Sequence, residues 1–125
     1  MTDRSNPGPH FELAVWQRDQ NRATVVLDGE LDLASAPDLQ ACLAEISADG
    51  VLHVVIDMAN LGFIDSTGIG VLVSDFKRLS EAGGSMVVCN AGPRTFRVFE
   101  MAGLVELLSV TRDGPDGAPE ATDQG

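Results

Sequence analysis

Asp65, Ser66 and Thr67 are three successive residues whose side-chain oxygens can accept hydrogen bonds from the first free amides of a helix. Behind them Ile69, Leu72, Val73, Phe76 and Leu79 recur at helical spacing, which predicts a helix over about residues 67–82 with one apolar face. Gly68 and Gly70 keep its first turn narrow and approachable. A hydroxyl on such a turn, beside amides that favour negative charge, is well placed to carry a phosphate. The plainer role for Ser66 is to cap the helix, worth ~1 kcal/mol. Asp65 and Thr67 duplicate that capacity, so Ser66 is not needed for it. Gly62 and Gly68 leave little bulk around the hydroxyl, and Phe63 and Ile64 are expected to anchor the loop to the core.

Other chemistries fail on their residue types. Gly62 and Gly68 flank an acidic loop with no Gly-Lys-Ser or Gly-Lys-Thr, so nothing cradles or neutralises a triphosphate. Gly68-Ile69-Gly70 is followed by Val73 where a dinucleotide fingerprint has its third glycine. A serine hydrolase needs a histidine within reach of the nucleophile. His53 stands at the far start of a strand and reads as a strand-edge residue, while His10 lies near the N-terminus. Asp57 ends an apolar strand, as the phospho-accepting aspartate of a receiver domain does. The single lysine, Lys77, falls in mid-helix, and the two opening strands do not suit that fold. Cys42 and Cys89 lack metal-ligand spacing and read as buried thiols of a reducing compartment. No metal, cofactor or catalytic constellation is expected, so the chain is read as a non-enzyme.

The elements that must position the loop follow from periodicity. Phe11, Leu13 and Val15 alternate with Glu12 and Ala14 as in a half-buried strand, with Trp16 breaking the pattern as an outer-face cap or a bulge. Ala23 to Leu27 is a second strand, antiparallel to the first across Asp19-Gln20-Asn21. Ser35 with Asp38 resembles a capping box for a helix of about 35–48, whose inner stripe is Leu39, Cys42, Leu43 and Ile46. Leu52 to Asp57 reads as a buried central strand, Met86 to Cys89 as the next, and Val105 to Val110 as a final edge strand. Between the last two, Asn90-Ala91-Gly92-Pro93 starts a short helix with Phe96 and Phe99 facing inward. The fold class is α/β, a single domain of order β-β-α-β-α-β-α-β with a mixed, mostly parallel sheet. Its expected span is 10–111, with polar, disordered segments at 1–9 and 112–125.

Bulk properties narrow the partners. The chain has 125 residues, enough for one core, and a net charge of −11. Nucleic acid and anionic membrane would both repel it. No run reaches the ~18 apolar residues of a membrane span, and the N-terminus has no signal-peptide pattern, so a cytoplasmic protein is expected, without membrane insertion.

Four segments carry a family resemblance. Phe63-Ile64-Asp65-Ser66-Thr67-Gly68-Ile69-Gly70 resembles the phosphorylation motif of the anti-sigma factor antagonists of the STAS domain family. Asp28-Gly29-Glu30-Leu31-Asp32 resembles the family's Gly-Glu-Leu-Asp element, Gly84 to Cys89 its fourth strand, and Phe96 to Leu104 its third helix and following turn. The likeness runs over roughly residues 11–110, in register and in element order. It implies a STAS-like fold and phosphorylation of Ser66 by a serine kinase that is itself the anti-sigma factor. The unmodified form would bind that kinase, which holds the ATP, and free its sigma factor; a serine phosphatase would reset the modified form. Asp32, Leu33 and Ala34 with Asp65, Thr67, Gly68 and Ile69 are the implied contact surface. Family members often end in a further helix, where this chain continues Arg112-Asp113-Gly114-Pro115; a weak homodimer stays open. The alternative within the same fold is a regulatory subunit of a membrane transport system, without phosphorylation.

Overall fold

A computed structural model describes residues 10–114, excluding the side chains of residues 17 and 18. The strands are β1 (Phe11–Arg18), β2 (Arg22–Leu31), β3 (His53–Ile64) and β4 (Ser85–Cys89). The helices are α1 (Ala36–Ala48), α2 (Ser66–Glu81) and α3 (Pro93–Met101). One sheet of order β1-β2-β3-β4 has β1 antiparallel to β2 and the other pairs parallel, as the short hairpin and the helical crossovers require. The described residues form a single α/β domain of four strands and three helices.

Alternate residues of β2, namely Ala23, Val25, Leu27 and Leu31, are fully buried and meet Leu39, Leu43 and Ile46 of α1 and Leu72 and Leu79 of α2 in one core. Met58, Ile56, Met86, Val88 and Phe99 complete it. The hydroxyl-bearing end of α2 is set by the lengths of β2 and β3. Both run past the last paired residue of β4, with register shifts near Asp28 and Glu30, and end paired at Leu31 and Ile64. The chain therefore leaves both strands side by side, at the carboxyl end of the parallel sheet where α/β folds place their sites.

Several expectations need correction. β3 continues seven residues beyond Asp57 to Ile64, because Asn60, Leu61 and Phe63 pair with β2 despite their loop-like composition. Phe63 is 46% exposed, so Ile64 alone of the two anchors the loop. Val105–Val110 is not a strand. Leu108 N donates to Leu104 O and Ser109 takes φ 50°, so the segment winds as turns. It still lies against β4, where Val88 N donates to Leu108 O and Thr111 N to Val88 O. Trp16 sits at a bulge between Val15 and Gln17 and is 76% exposed. Phe99 is buried, Phe96 only half-buried beneath the Arg112 guanidinium, and Cys42 half-buried. Of the stretch read as a tail, Asp113 O accepts from Asn90 N. Positions 1–9 and 115–125 lie outside the described residues.

Candidate functional site

The two strand ends open into two loops, and one carboxylate ties them together. Asp65 is the N-cap of α2, with extended backbone (φ −114°, ψ −175°). Its Oδ1 accepts from Thr67 N (2.9 Å) and Gly68 N (3.0 Å), and its Oδ2 from Leu33 N (3.2 Å) in the other loop. Asp65 N donates to Leu31 O (3.1 Å), so backbone and side chain both hold the loops in register. In the first loop Asp32 Oδ1 accepts from Ala34 N (3.0 Å) and Ser35 N (3.1 Å). The Ser35 hydroxyl donates to Glu30 O (2.7 Å) and accepts from Asp32 N (2.9 Å). Ser35 thus makes no side-chain cap on α1, and the expected capping box with Asp38 is replaced by this turn.

Ser66 is the first residue of α2 and is exposed, and among the described residues its hydroxyl forms no hydrogen bond. Asp65 has taken the amides that a capping serine would use. Gly68 is buried rather than presented: a β-carbon there would stand 2.6 Å from Leu31 Cγ and 3.1 Å from Ile64 Cγ1, so its lack of a side chain lets α2 lie on the strand ends. Leu33 is 74% exposed, Ala34 is exposed, and Asp32, Asp65, Thr67 and Ile69 are half-buried. The structure brings all eight residues singled out from the sequence to one rim. What sequence reading missed is the Asp65–Leu33 link and the true partner of Ser35. The spacing Asp32-x-x-Ser35 is the signature of a side-chain-to-backbone turn and could have revealed the latter.

Rival constellations are occupied elsewhere. Asp57 Oδ1 accepts from Ala59 N (3.0 Å) and Asn90 Nδ2 (3.1 Å), which makes it a brace between β3 and the turn after β4. His53 Nδ1 lies 2.8 Å from Ser85 Oγ at the opposite end of the 12-residue β3, roughly 35 Å of strand away from Ser66. Burial, and after it the Asp57 carboxylate, pushes the Cys89 thiol up to about 12, so it stays protonated and inert. Among the described residues no group of three or more His, Cys, Asp or Glu could hold a metal ion, and no helix is long and apolar enough to cross a membrane.

The sequence profile of the STAS domain matches residues 14–115. The chain belongs to the STAS domain family. The anti-sigma-B factor antagonist of Bacillus subtilis (strain 168) is 31% identical to this STAS chain over 101 residues, 81% of this chain and 92% of that protein. A crystal structure of an anti-sigma factor antagonist from Mycobacterium paratuberculosis superposes with a TM-score of 0.76 at 25% identity, over 86% of this chain and 90% of that one. The anti-sigma factor antagonist SpoIIAA shares the fold at 21% identity. Its unphosphorylated form gives a TM-score of 0.73 over 85% of this chain and 90% of that one. Its phosphorylated form, from Bacillus, gives 0.67 over 85% and 94%.

Proposed function

We propose that this chain is an anti-sigma factor antagonist whose unphosphorylated form binds an anti-sigma factor serine kinase and frees the sigma factor, and whose phosphorylation at Ser66 ends that binding. The observation that carries it is the Ser66 hydroxyl, exposed and without a structural task because Asp65 caps α2 in its place. The names of its STAS relatives support the reading. The chain acts as substrate and ligand, not as catalyst: the kinase brings the ATP, and a serine phosphatase restores the hydroxyl.

On this reading Leu33, Ala34, Thr67 and Ile69 meet the kinase, while Asp32, Asp65 and Gly68 shape the rim that presents them. Phosphate adds about −1.5 to −2 charges. The amides of Thr67 and Gly68 are already spent on Asp65, so the phosphate is held outward beside an existing carboxylate instead of being neutralised. The fold is left alone. One opposing carboxylate on the partner at ~6 Å, with an effective dielectric of ~20, then costs about 3 kcal/mol for each unit of added charge. That is roughly a hundredfold in affinity, enough for a switch without conformational change.

Incubation with candidate serine kinases and ATP, followed by mass spectrometry, tests the modification. One phosphoryl group on Ser66, absent in Ser66→Ala, is expected. In pull-downs Ser66→Ala should stay bound and Ser66→Asp should bind about a hundredfold more weakly. Equal binding by the two variants would overturn the charge argument. Failure of both modification and binding with every kinase would leave the transport-subunit reading in its place.

A further inference from the structure

We infer that the anti-sigma factor kinase reaches past the Ser66 rim and seats an apolar side chain in the pocket around Gly62 and Phe63, on the far face of the sheet. This contact rests on the proposed function and adds to it two residues that the rim does not include. The pocket has a volume of about 390 Å³, and its lining includes Gly29, Glu30, Gly62, Phe63 and Arg94.

Two glycines point to an incoming molecule. Among the described residues three glycines lie inside a strand or helix with ordinary φ, namely Gly62 in β3 and Gly68 and Gly70 in α2. Packing requires Gly68, because Leu31 and Ile64 stand where its side chain would be. Gly62 and Gly70 have no such reason. A β-carbon at Gly62 would meet nothing closer than Gly29 O at 3.9 Å, and one at Gly70 nothing within 4 Å. Glycine weakens the interior of both element types, and in a strand it often marks the close approach of a ligand or another backbone. Both are exposed, and each stands four residues from Ser66, one on either side. Gly70 lies one turn along the Ser66 face of α2, and Gly62 opens the pocket behind it.

Phe63 supplies the contact. Ile64 faces the core, so Phe63 faces the other side of the sheet, half-exposed and within ~11 Å of chain from Ser66. An aromatic that lines a pocket at the margin of an interface is a common anchor for a partner. Of the charged groups around it, Asp28 is answered by His10 Nε2 at 3.0 Å. The side chains of Glu30 and Arg94 form no hydrogen bond or ion pair among the described residues. Their charges are opposite, so the two together favour neither sign in an occupant. An apolar side chain fits between them, its own backbone N–H and C=O available to Glu30 and Arg94. A second copy of this chain would bring another net charge of −11 and be repelled. A partner already seated over Ser66 reaches the pocket by continuing along the same edge.

Biolayer interferometry tests this with the kinase that phosphorylates Ser66, loaded with a non-hydrolysable ATP analogue so that the hydroxyl stays free. Phe63→Ala should raise Kd about tenfold. Gly62→Val fills the pocket with a residue suited to a strand, and should raise Kd about as much without lowering Tm. Trp16→Ala truncates a more exposed aromatic outside the pocket and should leave Kd unchanged. Wild-type Kd for both Phe63→Ala and Gly62→Val would overturn the contact and leave the proposed function standing, because Ser66→Ala still binds. An equal loss in Trp16→Ala and Phe63→Ala would overturn it as well. If neither wild type nor Ser66→Ala bound any such kinase, the proposed function would fail and take this contact with it.

Discussion

The starts of α1 and α2 are built from the same two residue types and use them in opposite ways. At α1 the serine is consumed: Ser35, 8% exposed, bonds Glu30 O and Asp32 N, and Asp32 turns the loop beside it. At α2 the aspartate is consumed: Asp65 takes two helix amides and the Leu33 amide, and Ser66 is left in solvent. A serine at a helix start is therefore available for modification when a neighbour has assumed its structural task. Residue type alone does not distinguish the two cases; burial and the bookkeeping of amides do.

Breaking the shared post should have the largest effect. Asp65→Ala removes three hydrogen bonds to a half-buried carboxylate, and a loss of about 2–3 kcal/mol is expected, read as a fall in Tm on the order of 10 °C. On the proposed function, partner binding should also weaken even without phosphate, because Leu33 loses its tether. Asp65→Asn, which can still cap but has one acceptor oxygen to share between the helix and Leu33, should fall between the two. A Tm within a degree of wild type for Asp65→Ala would show that the two loops are held by something other than this side chain.

Ser35→Ala comes next, at about 1–2 kcal/mol, since it takes this partner from Glu30 O and Asp32 N, both on half-buried residues. Urea unfolding checks it through a lower midpoint with unchanged slope. On the proposed function, the kinase should phosphorylate Ser66 in this variant as readily as in wild type. Gly68→Ala follows, at about 1 kcal/mol. Overpacking against Leu31 costs 1–3 kcal/mol, and the better helix propensity of alanine returns about 1. Chemical-shift changes confined to Leu31, Ile64 and the first turn of α2 should accompany it.

Much of this was legible in the chain. The apolar rows of α1 and α2 and the alternation in β1 and β2 are periodic signals that tertiary packing reinforces, so they survive into the fold. The Asp65-Ser66-Thr67 helix start was legible for the same reason. What escaped was set by long-range pairing. Met58 to Phe63 carries Asn and Gly and reads as loop, yet β2 supplies a full ladder that overrides local preference. Val105 to Val110 reads as strand, yet the close of α3 winds it into turns before it reaches β4. Phe63 reads beside Ile64 as an anchor of the loop to the core, but at the extended end of the sheet its side of β3 faces out. The Asp65–Leu33 bond joins residues 32 apart and has no local signature.

The smallest expected effect is the one that separates the two helix starts most sharply. Ser66→Ala removes a hydroxyl with no hydrogen-bond partner among the described residues, from an exposed first-turn position where alanine is a good helix former. Stability should stay within about 0.5 kcal/mol of wild type, as for surface changes away from any special feature. The same truncation at Ser35 costs several times more, although both serines begin a helix. If denaturation showed Ser66→Ala to be as damaging as Ser35→Ala, the hydroxyl at 66 would be holding the fold together. A kinase that modified it would then have to break a structural bond first, and the division of labour between Asp65 and Ser66 would be lost.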